Sequence, residues 1–203
     1  YTNKPMKRLS LYLFLILFTF QTLSHADDIS EFEIEGMSIG DSLLDYFSKN
    51  EIEENIQHDY YKDDLYYESQ IENETFHDYQ GVTLIFFSND KNYIIQGIGG
   101  YKYIDLKKCL VERNEIKKVM DEIWPNATPD EYTNKHQADK SGKSKYHHTL
   151  YELRDGKKVI GNAIIECADW SSEITNTRGW TNNLNLRITT EDFEQWLTNE
   201  AYK

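Results

Sequence analysis

Hydrophobic and polar positions alternate with a period of two in several short runs of this sequence. The clearest run places Leu184, Leu186 and Ile188 on one side and polar residues on the other, as expected of a strand with one buried face. Between two further runs, the Asp155-Gly156 pair is typical of a tight hairpin turn. Together these patterns predict strands at 82–87, 93–98, 146–153, 157–167 and about 184–188.

Apolar residues recur at helical spacing in three other segments. Asp105 is placed to cap a long helix that ends before Pro125. The Ser-x-x-Asp pattern that starts at Ser38 predicts an earlier helix running to about Asn50. A short closing helix is predicted after Thr189. Its inner face carries Phe193, Trp196 and Leu197.

These elements indicate the α+β class: an antiparallel sheet of about five strands with two or three helices packed on one side. We expect residues 27–203 to form a single acidic domain, because their number suits one hydrophobic core. The acidic, tyrosine-rich segment 51–78 lacks a clear period and is predicted to be irregular. The polar segment 126–145 is predicted to be a loop.

The first 26 residues have the pattern of a few upstream residues followed by a secretory signal peptide. Lys7 and Arg8 form a basic start, residues 9–20 form an apolar core, and Ser24-His25-Ala26 provides small residues at a cleavage site. Polar residues interrupt the apolar run before it reaches the roughly 20 residues of a membrane span, which disfavours an uncleaved anchor. We therefore predict a periplasmic or secreted protein with no membrane association after cleavage.

The charge of the chain narrows the range of partners. It has 22 basic and 35 acidic residues, and three of the basic ones fall in the predicted leader, which leaves a net charge of −16 on residues 27–203. Such a surface repels nucleic-acid phosphates and anionic lipids, which argues against those partners. A cationic protein or small-molecule ligand fits this charge better.

Two cysteines, Cys109 and Cys167, are the only ones in the chain. In an oxidising compartment an isolated pair is more often a disulfide than a metal site. The periodicity places both side chains on the inward faces of their elements, so a bridge would fasten the long helix to the sheet. The alternative, a catalytic Cys167 thiolate, needs a positioned base that the sequence does not identify.

Several short motifs suggest chemistry without completing a site. Gly142-Lys143-Ser144 contains part of a phosphate-binding loop, but Gln137 stands where that motif requires glycine. His147 and His148 are adjacent, so on a strand they face opposite sides and are poorly placed to share a metal. The sequence therefore predicts no catalytic residue, no cofactor and no metal site.

A polar segment with a tryptophan at each end is the best candidate for ligand binding. Trp170 and Trp180 bracket residues 171–179, and Arg178 lies inside this predicted loop. Aromatic side chains beside a basic residue can stack on a sugar ring or hold a peptide carboxylate. The alternative is that both tryptophans pack on the sheet edge. We interpret Trp170, Arg178 and Trp180 as candidate ligand-binding residues.

Four parts of the sequence are similar to a group of uncharacterised exported proteins from marine bacteria with small genomes. These are residues 166–171 (ECADWS), residues 139–144 (DKSGKS), residues 34–44 and the helix that contains Cys109. The resemblance spans most of the chain after the predicted leader. It implies export and a single domain, and it transfers no functional residues because no activity is attached to that group.

The leading hypothesis is an exported, non-catalytic binding or accessory protein. It depends on the incomplete catalytic motifs, the acidic surface, the aromatic-rich segments and the predicted disulfide. One alternative is a secreted hydrolase that uses carboxylates or His147. Another is an inhibitor of a cationic enzyme, for which binding would weaken steeply as salt rises.

Overall fold

A computed structural model describes residues 28–58 and 60–202, so the predicted signal peptide lies outside the described residues. Seven antiparallel strands form one sheet in the order β1-β2-β3-β7-β6-β5-β4. The strands are β1 (Tyr66–Glu72), β2 (Gly81–Phe87), β3 (Ile95–Tyr103), β4 (Asp130–Lys135), β5 (Lys145–Asp155), β6 (Lys158–Asp169) and β7 (Asn183–Thr190). The α+β class is confirmed, but the sheet is larger than the predicted five strands.

Four α-helices accompany the sheet in the described part of the chain. They are α1 (Lys49–Glu54), α2 (Leu106–Ile123), α3 (Ser172–Arg178) and α4 (Glu191–Asn199). Among the described residues, no helix is long and apolar enough to cross a membrane. The two additional strands, β1 and β4, lie in segments that the sequence predicted to be irregular or a loop.

One face of the sheet, here called the α2 face, carries the main hydrophobic core. A row of cross-strand neighbours, Ile98, Ile188, Ala163 and Tyr151, runs over four strands of this face and is fully buried. Helix α2 covers the row, and its Asp105 cap accepts a hydrogen bond from the Lys108 N–H, as predicted.

The Cys109–Cys167 disulfide joins α2 to β6, with 5.9 Å between the two Cα atoms. Cys167 lies on the α2 face beside Leu184, and both cysteines are buried. The predicted bridge between helix and sheet is therefore confirmed.

The predicted helix from Ser38 to Asn50 is wrong. Gly40 has a φ of 94°, which ends any helical path there. The Gly40 N–H donates to the Ile95 carbonyl, and the Ile95 N–H donates to the Asp41 carbonyl, so this segment pairs with the start of β3. A short 3-10 turn at Leu43–Asp45 and helix α1 follow it. Sheet pairing therefore prevails over the local helical period.

A carboxylate fastens the amino-terminal segment to the rest of the α2 face. Glu35 accepts hydrogen bonds from the backbone N–H groups of His77, Asp78 and Tyr79 at 2.8, 2.8 and 3.0 Å. Partial burial opposes ionisation of Glu35, but the three donors outweigh it, so its pKa lies below the usual value.

The helices do not all pack on one side, contrary to the prediction. Phe193 and Trp196 of α4 contact Tyr66, with ring centroids 5.2 and 4.9 Å away. Tyr66 and Ile85 alternate with the core residues of their strands, so they belong to the opposite face, here called the α4 face. Amphipathic spacing shows that a helix has a buried side, but not which side of the sheet it covers.

Candidate functional site

Six aromatic side chains form a connected patch on the α4 face, here called the aromatic surface. Each ring centroid lies 4.7 to 5.6 Å from at least one other ring of the set. The members are Tyr132, His136, Tyr146, His148, Trp170 and Trp180. All except the buried His148 are half-buried, so the patch keeps ring area accessible to a ligand.

The strand registers bring these rings together. Tyr132 of β4 lies opposite His148 of β5, which in turn lies opposite Glu166 of β6. Tyr146, two residues from His148, points to the same face. Trp170 directly follows β6, and its ring lies 5.4 Å from that of Tyr146.

The three ligand-binding candidates from the sequence lie together at the margin of this surface. The Trp170 and Trp180 ring centroids are 4.7 Å apart. The Arg178 guanidinium lies 4.9 Å from the centroid of the Trp180 ring, in cation–π contact. The guanidinium therefore lies over one face of the Trp180 ring and places a positive charge there.

The segment between the two tryptophans is helix α3 rather than the predicted loop. Ser171 caps its start by accepting a hydrogen bond from the Ile174 N–H. Gly179 ends it in a left-handed conformation with a φ of 72°. The chain therefore turns back after two helical turns and returns Trp180 to the side of Trp170.

A buried carboxylate anchors the start of α3. Asp139 accepts hydrogen bonds from the Ser141 N–H, the Ser144 N–H and the Ser144 hydroxyl. These bonds from Ser141 and Ser144 hold the Asp139 pKa well below its usual range. The Ser144 oxygen in turn accepts a hydrogen bond from the Ser171 N–H at 3.0 Å. The segment that resembled a phosphate loop therefore holds a carboxylate of its own chain and positions α3.

Two titratable rings of the aromatic surface, His136 and Tyr146, favour their neutral forms. Desolvation lowers the pKa of His136, which favours its neutral ring. Burial, reinforced by the charge of Glu166, raises the pKa of Tyr146 and keeps its hydroxyl protonated. The Nδ1 atom of His148 lies 3.1 Å from an oxygen of Glu166, which is the nearest carboxylate.

A groove of about 550 Å³ adjoins the aromatic surface and shares Trp170 with it. Tyr103 is its second aromatic lining residue, and the rest of its wall is mainly hydroxyl and amide groups. The polar lining residues are Asp105, Ser172, Thr175, Asn176, Thr181 and Asn182. Asn182 holds the backbone of the shared tryptophan, because its side-chain oxygen accepts a hydrogen bond from the backbone N–H of Trp170 at 2.7 Å.

The two adjacent histidines face opposite sides, as predicted. His147 lies on the α2 face opposite Cys167, and its Nδ1 atom is 3.1 Å from the Thr133 hydroxyl. His147 is therefore separated by the sheet from the aromatic surface. In the described residues, no group of three or more His, Cys, Asp or Glu side chains is arranged to hold a metal ion.

Sequence reasoning missed Tyr132, His136, Tyr146 and His148 as members of the aromatic surface, and it missed Glu166 beside it. Extending the period-two pattern backwards from Leu150 would have placed Tyr146 and His148 on one face. Tyr132 had no comparable indication, because the polar strand β4 was predicted to be a loop. Tyr103 and the other groove residues come together only through the fold.

Comparisons with known proteins add no relative. The chain matches no protein-family model, and comparison with curated proteins and with solved structures finds no similar protein. The functional assignment therefore depends on the geometry and chemistry of the site.

Proposed function

We propose that this protein is an exported, non-catalytic binding protein whose ligand lies on the aromatic surface. The observation that carries the proposal is the convergence of Trp170, Trp180 and Arg178, which are ten residues apart in sequence at most, with four further rings, three of them on β4 and β5. Five of the six rings are partly exposed, and partly exposed clusters of aromatic rings commonly contact ligands.

The chemistry of the site favours a neutral saccharide as the ligand. The aromatic surface offers apolar ring faces that can stack on the C–H face of a sugar. The adjoining groove offers the amides of Asn176 and Asn182 and the hydroxyls of Ser172 and Thr175, which can exchange hydrogen bonds with sugar hydroxyls. Apolar faces with a few placed polar groups are the usual composition of a small-molecule site.

The charge of the protein favours a neutral ligand over an anionic one. Residues 27–203 carry a net charge of −16, and Glu166 adjoins the aromatic surface. A polyanionic saccharide would meet a repulsive field over most of the molecule. Arg178 remains available at the margin for a hydrogen bond to a ring oxygen or hydroxyl.

Export supports this kind of ligand, because saccharides are abundant outside the cytosol. The Cys109–Cys167 disulfide is compatible with an oxidising compartment. The signal peptide, the periplasmic or secreted location and the resemblance to exported marine-bacterial proteins stay predictions. Sequencing of the mature amino terminus after expression of the full chain would test the cleavage after Ala26.

The binding proposal is tested with a panel of neutral oligosaccharides and isothermal titration calorimetry on the protein expressed from its full chain. We expect Trp180→Ala to weaken binding of the best saccharide about tenfold, because a stacked ring is lost. Tyr46→Ala is the matched control, since Tyr46 is an exposed ring on the amino-terminal segment. Failure of the wild type to bind any saccharide, or equal effects of the two variants, would contradict the proposal.

One observation favours a hydrolase as the second candidate. The His148–Glu166 contact of 3.1 Å places an imidazole beside a carboxylate under the aromatic surface, and such pairs can move protons in catalysis. Incubation of the bound saccharide with wild type and Glu166→Gln distinguishes the two functions. A catalytic role requires bond cleavage that the variant abolishes, whereas a binding protein returns the saccharide intact.

A further inference from the structure

The two edge strands of the sheet, β1 and β4, differ in whether a neighbouring segment of the chain hydrogen-bonds to their outer side. At the β1 edge, the segment before the strand supplies backbone partners: the Gln57 N–H donates to the Glu68 carbonyl at 2.8 Å, and the Gln70 N–H donates to the Asn55 carbonyl at 3.1 Å. At the other edge, β4 pairs only with β5 within the described residues. One edge is therefore covered, and the other presents unpaired backbone groups.

Strand β4 carries charged residues, Asp130, Glu131 and Lys135, which discourage edge pairing unless the partner strand complements them, but it lacks the other features that usually block an open edge. It contains no proline, and its pairing with β5 is continuous over six residues without a bulge. Five of its six residues are exposed, so both faces of the strand are accessible. Strands of this kind can extend a sheet by pairing with another strand.

We propose that β4 pairs with β4 of a second copy of this chain to form a two-fold symmetric dimer with one continuous sheet. In an antiparallel pair of identical strands, side chains opposite each other lie on the same face, so odd-numbered residues meet odd-numbered ones. The sequence of β4 therefore allows only a few symmetric registers, and these can be compared by charge.

The register centred on Thr133 is self-complementary. It places Glu131 opposite Lys135 of the second copy and Lys135 opposite Glu131, which gives two ion pairs on the α2 face. It also places Thr133 opposite itself, and opposed threonines and opposite charges are both favourable cross-strand pairs. Glu131 already lies 3.5 Å from Arg113 and 3.9 Å from Lys117 of its own chain, and its side chain is exposed enough to contact a further cation.

The register centred on Tyr132 is less favourable for the charges. It places Glu131 opposite Thr133 and leaves Lys135 beyond the paired region. A register centred on Glu131 would place the Glu131 carboxylates of the two copies opposite each other, where they repel. The local charges of β4 therefore favour a second copy in the Thr133 register over an unrelated extended peptide as the occupant of this edge, and these local pairs act against the mutual repulsion of two acidic chains. The pairing does not depend on the proposed function, although it would place both aromatic surfaces on the same side of the joint sheet.

Sedimentation analysis of the protein expressed from its full chain tests the dimer over a range of concentrations. We expect a monomer–dimer equilibrium for the wild type. Lys135→Glu should weaken dimerisation at least about tenfold, because both ion pairs become like-charge pairs. Lys157→Glu, in the exposed turn between β5 and β6, makes the same charge change away from the edge and should leave the equilibrium unchanged.

A charge-swapped variant separates lost pairing from damaged folding. Glu131→Lys combined with Lys135→Glu restores opposite charges across the two-fold axis and should recover dimerisation, with near-ultraviolet circular dichroism confirming a native fold. A wild type that stays monomeric at about 100 μM, where weak protein complexes form, would overturn the proposal. Equal weakening by Lys135→Glu and Lys157→Glu would overturn it as well.

Discussion

The α2 face and the α4 face of the sheet are built from alternate residues of the same strands, yet they differ in composition and in covering. On the α2 face, aliphatic rows such as Ile98, Ile188 and Ala163 are fully buried. On the α4 face, the neighbouring positions of β4 to β6 carry tyrosine, histidine and glutamate, and most of them are half-buried. The first face therefore supplies stability, and the second keeps aromatic area accessible.

The coverings of the two faces are also held differently. Helix α2 is fixed to its face by a covalent bridge, and the amino-terminal segment on the same face is held by the Glu35 hydrogen bonds to residues 77–79. The α3 segment beside the aromatic surface is held by the Asp139–Ser144–Ser171 hydrogen bonds instead. This contrast shows how one sheet can place structural residues on one face and candidate binding residues on the other, because alternate residues of each strand point to opposite faces. The predictions below each test residues of one or both faces.

The largest effect is expected from removal of the disulfide, which acts on the α2 face. Replacing Cys109 and Cys167 with alanine should lower the free energy of unfolding by about 4 kcal/mol, because the bridge closes a long loop in the unfolded chain. Urea unfolding followed by circular dichroism measures the loss. Reduced wild type should show a similar loss, and a change below about 1 kcal/mol would contradict the role given to the bridge.

A smaller effect is expected from the Glu35 contacts. Glu35→Gln should lower the free energy of unfolding by about 1 kcal/mol, because a charged acceptor of three N–H groups becomes neutral in a partly solvated site. The lowered pKa means that this stabilisation is present above the unfolded value of about 4.3 and is lost as pH falls through the folded value. Urea unfolding at pH 7 and at pH 3 checks it, since the variant should differ from wild type more at pH 7 than at pH 3.

The smallest effect concerns one histidine on each face. Desolvation lowers the pKa of His136 on the α4 face, and desolvation together with Arg113 lowers that of His147 on the α2 face. The folded state therefore favours the neutral rings. The free energy of unfolding should decrease as pH falls below about 6.5, the pKa of histidine in the unfolded chain. His136→Phe and His147→Gln should each reduce the slope of melting temperature against pH between about 7 and 5. A slope that neither variant changes would contradict this assignment.

Local sequence patterns correctly predicted the elements that are determined by a cap, a turn pair or a regular hydrophobic period within the element itself. The Asp105 cap of α2, the Asp155-Gly156 hairpin and the alternation in β7 all appear in the structure. The two inward cysteines were correctly paired for the same reason, since each lies on a regular buried stripe. These features are encoded within about a dozen neighbouring residues.

The elements that were missed depend on distant parts of the chain. Strand β4 is exposed on both faces, so it lacks the hydrophobic alternation that would reveal it. Helix α3 has one buried residue, Ile174, and is too short to show a helical period. Ser38 was expected to start a helix, but the pairing of Gly40 and Asp41 with Ile95 prevails there.

The candidate site was predicted in part for the same physical reason. Trp170, Arg178 and Trp180 are close in sequence, so their proximity could be anticipated. Tyr132 and Tyr146 join them only because β4 pairs with β5 and β5 with β6. The aromatic surface is thus a product of strand register, which a sequence without its fold does not reveal.

The most direct test of the central claim uses the four tryptophans, of which two lie on the aromatic surface and two do not. Trp124 packs against Phe32, and Trp196 packs against Tyr66 and Phe193. Nuclear magnetic resonance of the indole N–H groups during titration with a neutral oligosaccharide should shift the signals of Trp170 and Trp180 and leave those of Trp124 and Trp196 in place. Shifts confined to Trp124 and Trp196, or none at all with every saccharide tried, would contradict a ligand site on the aromatic surface.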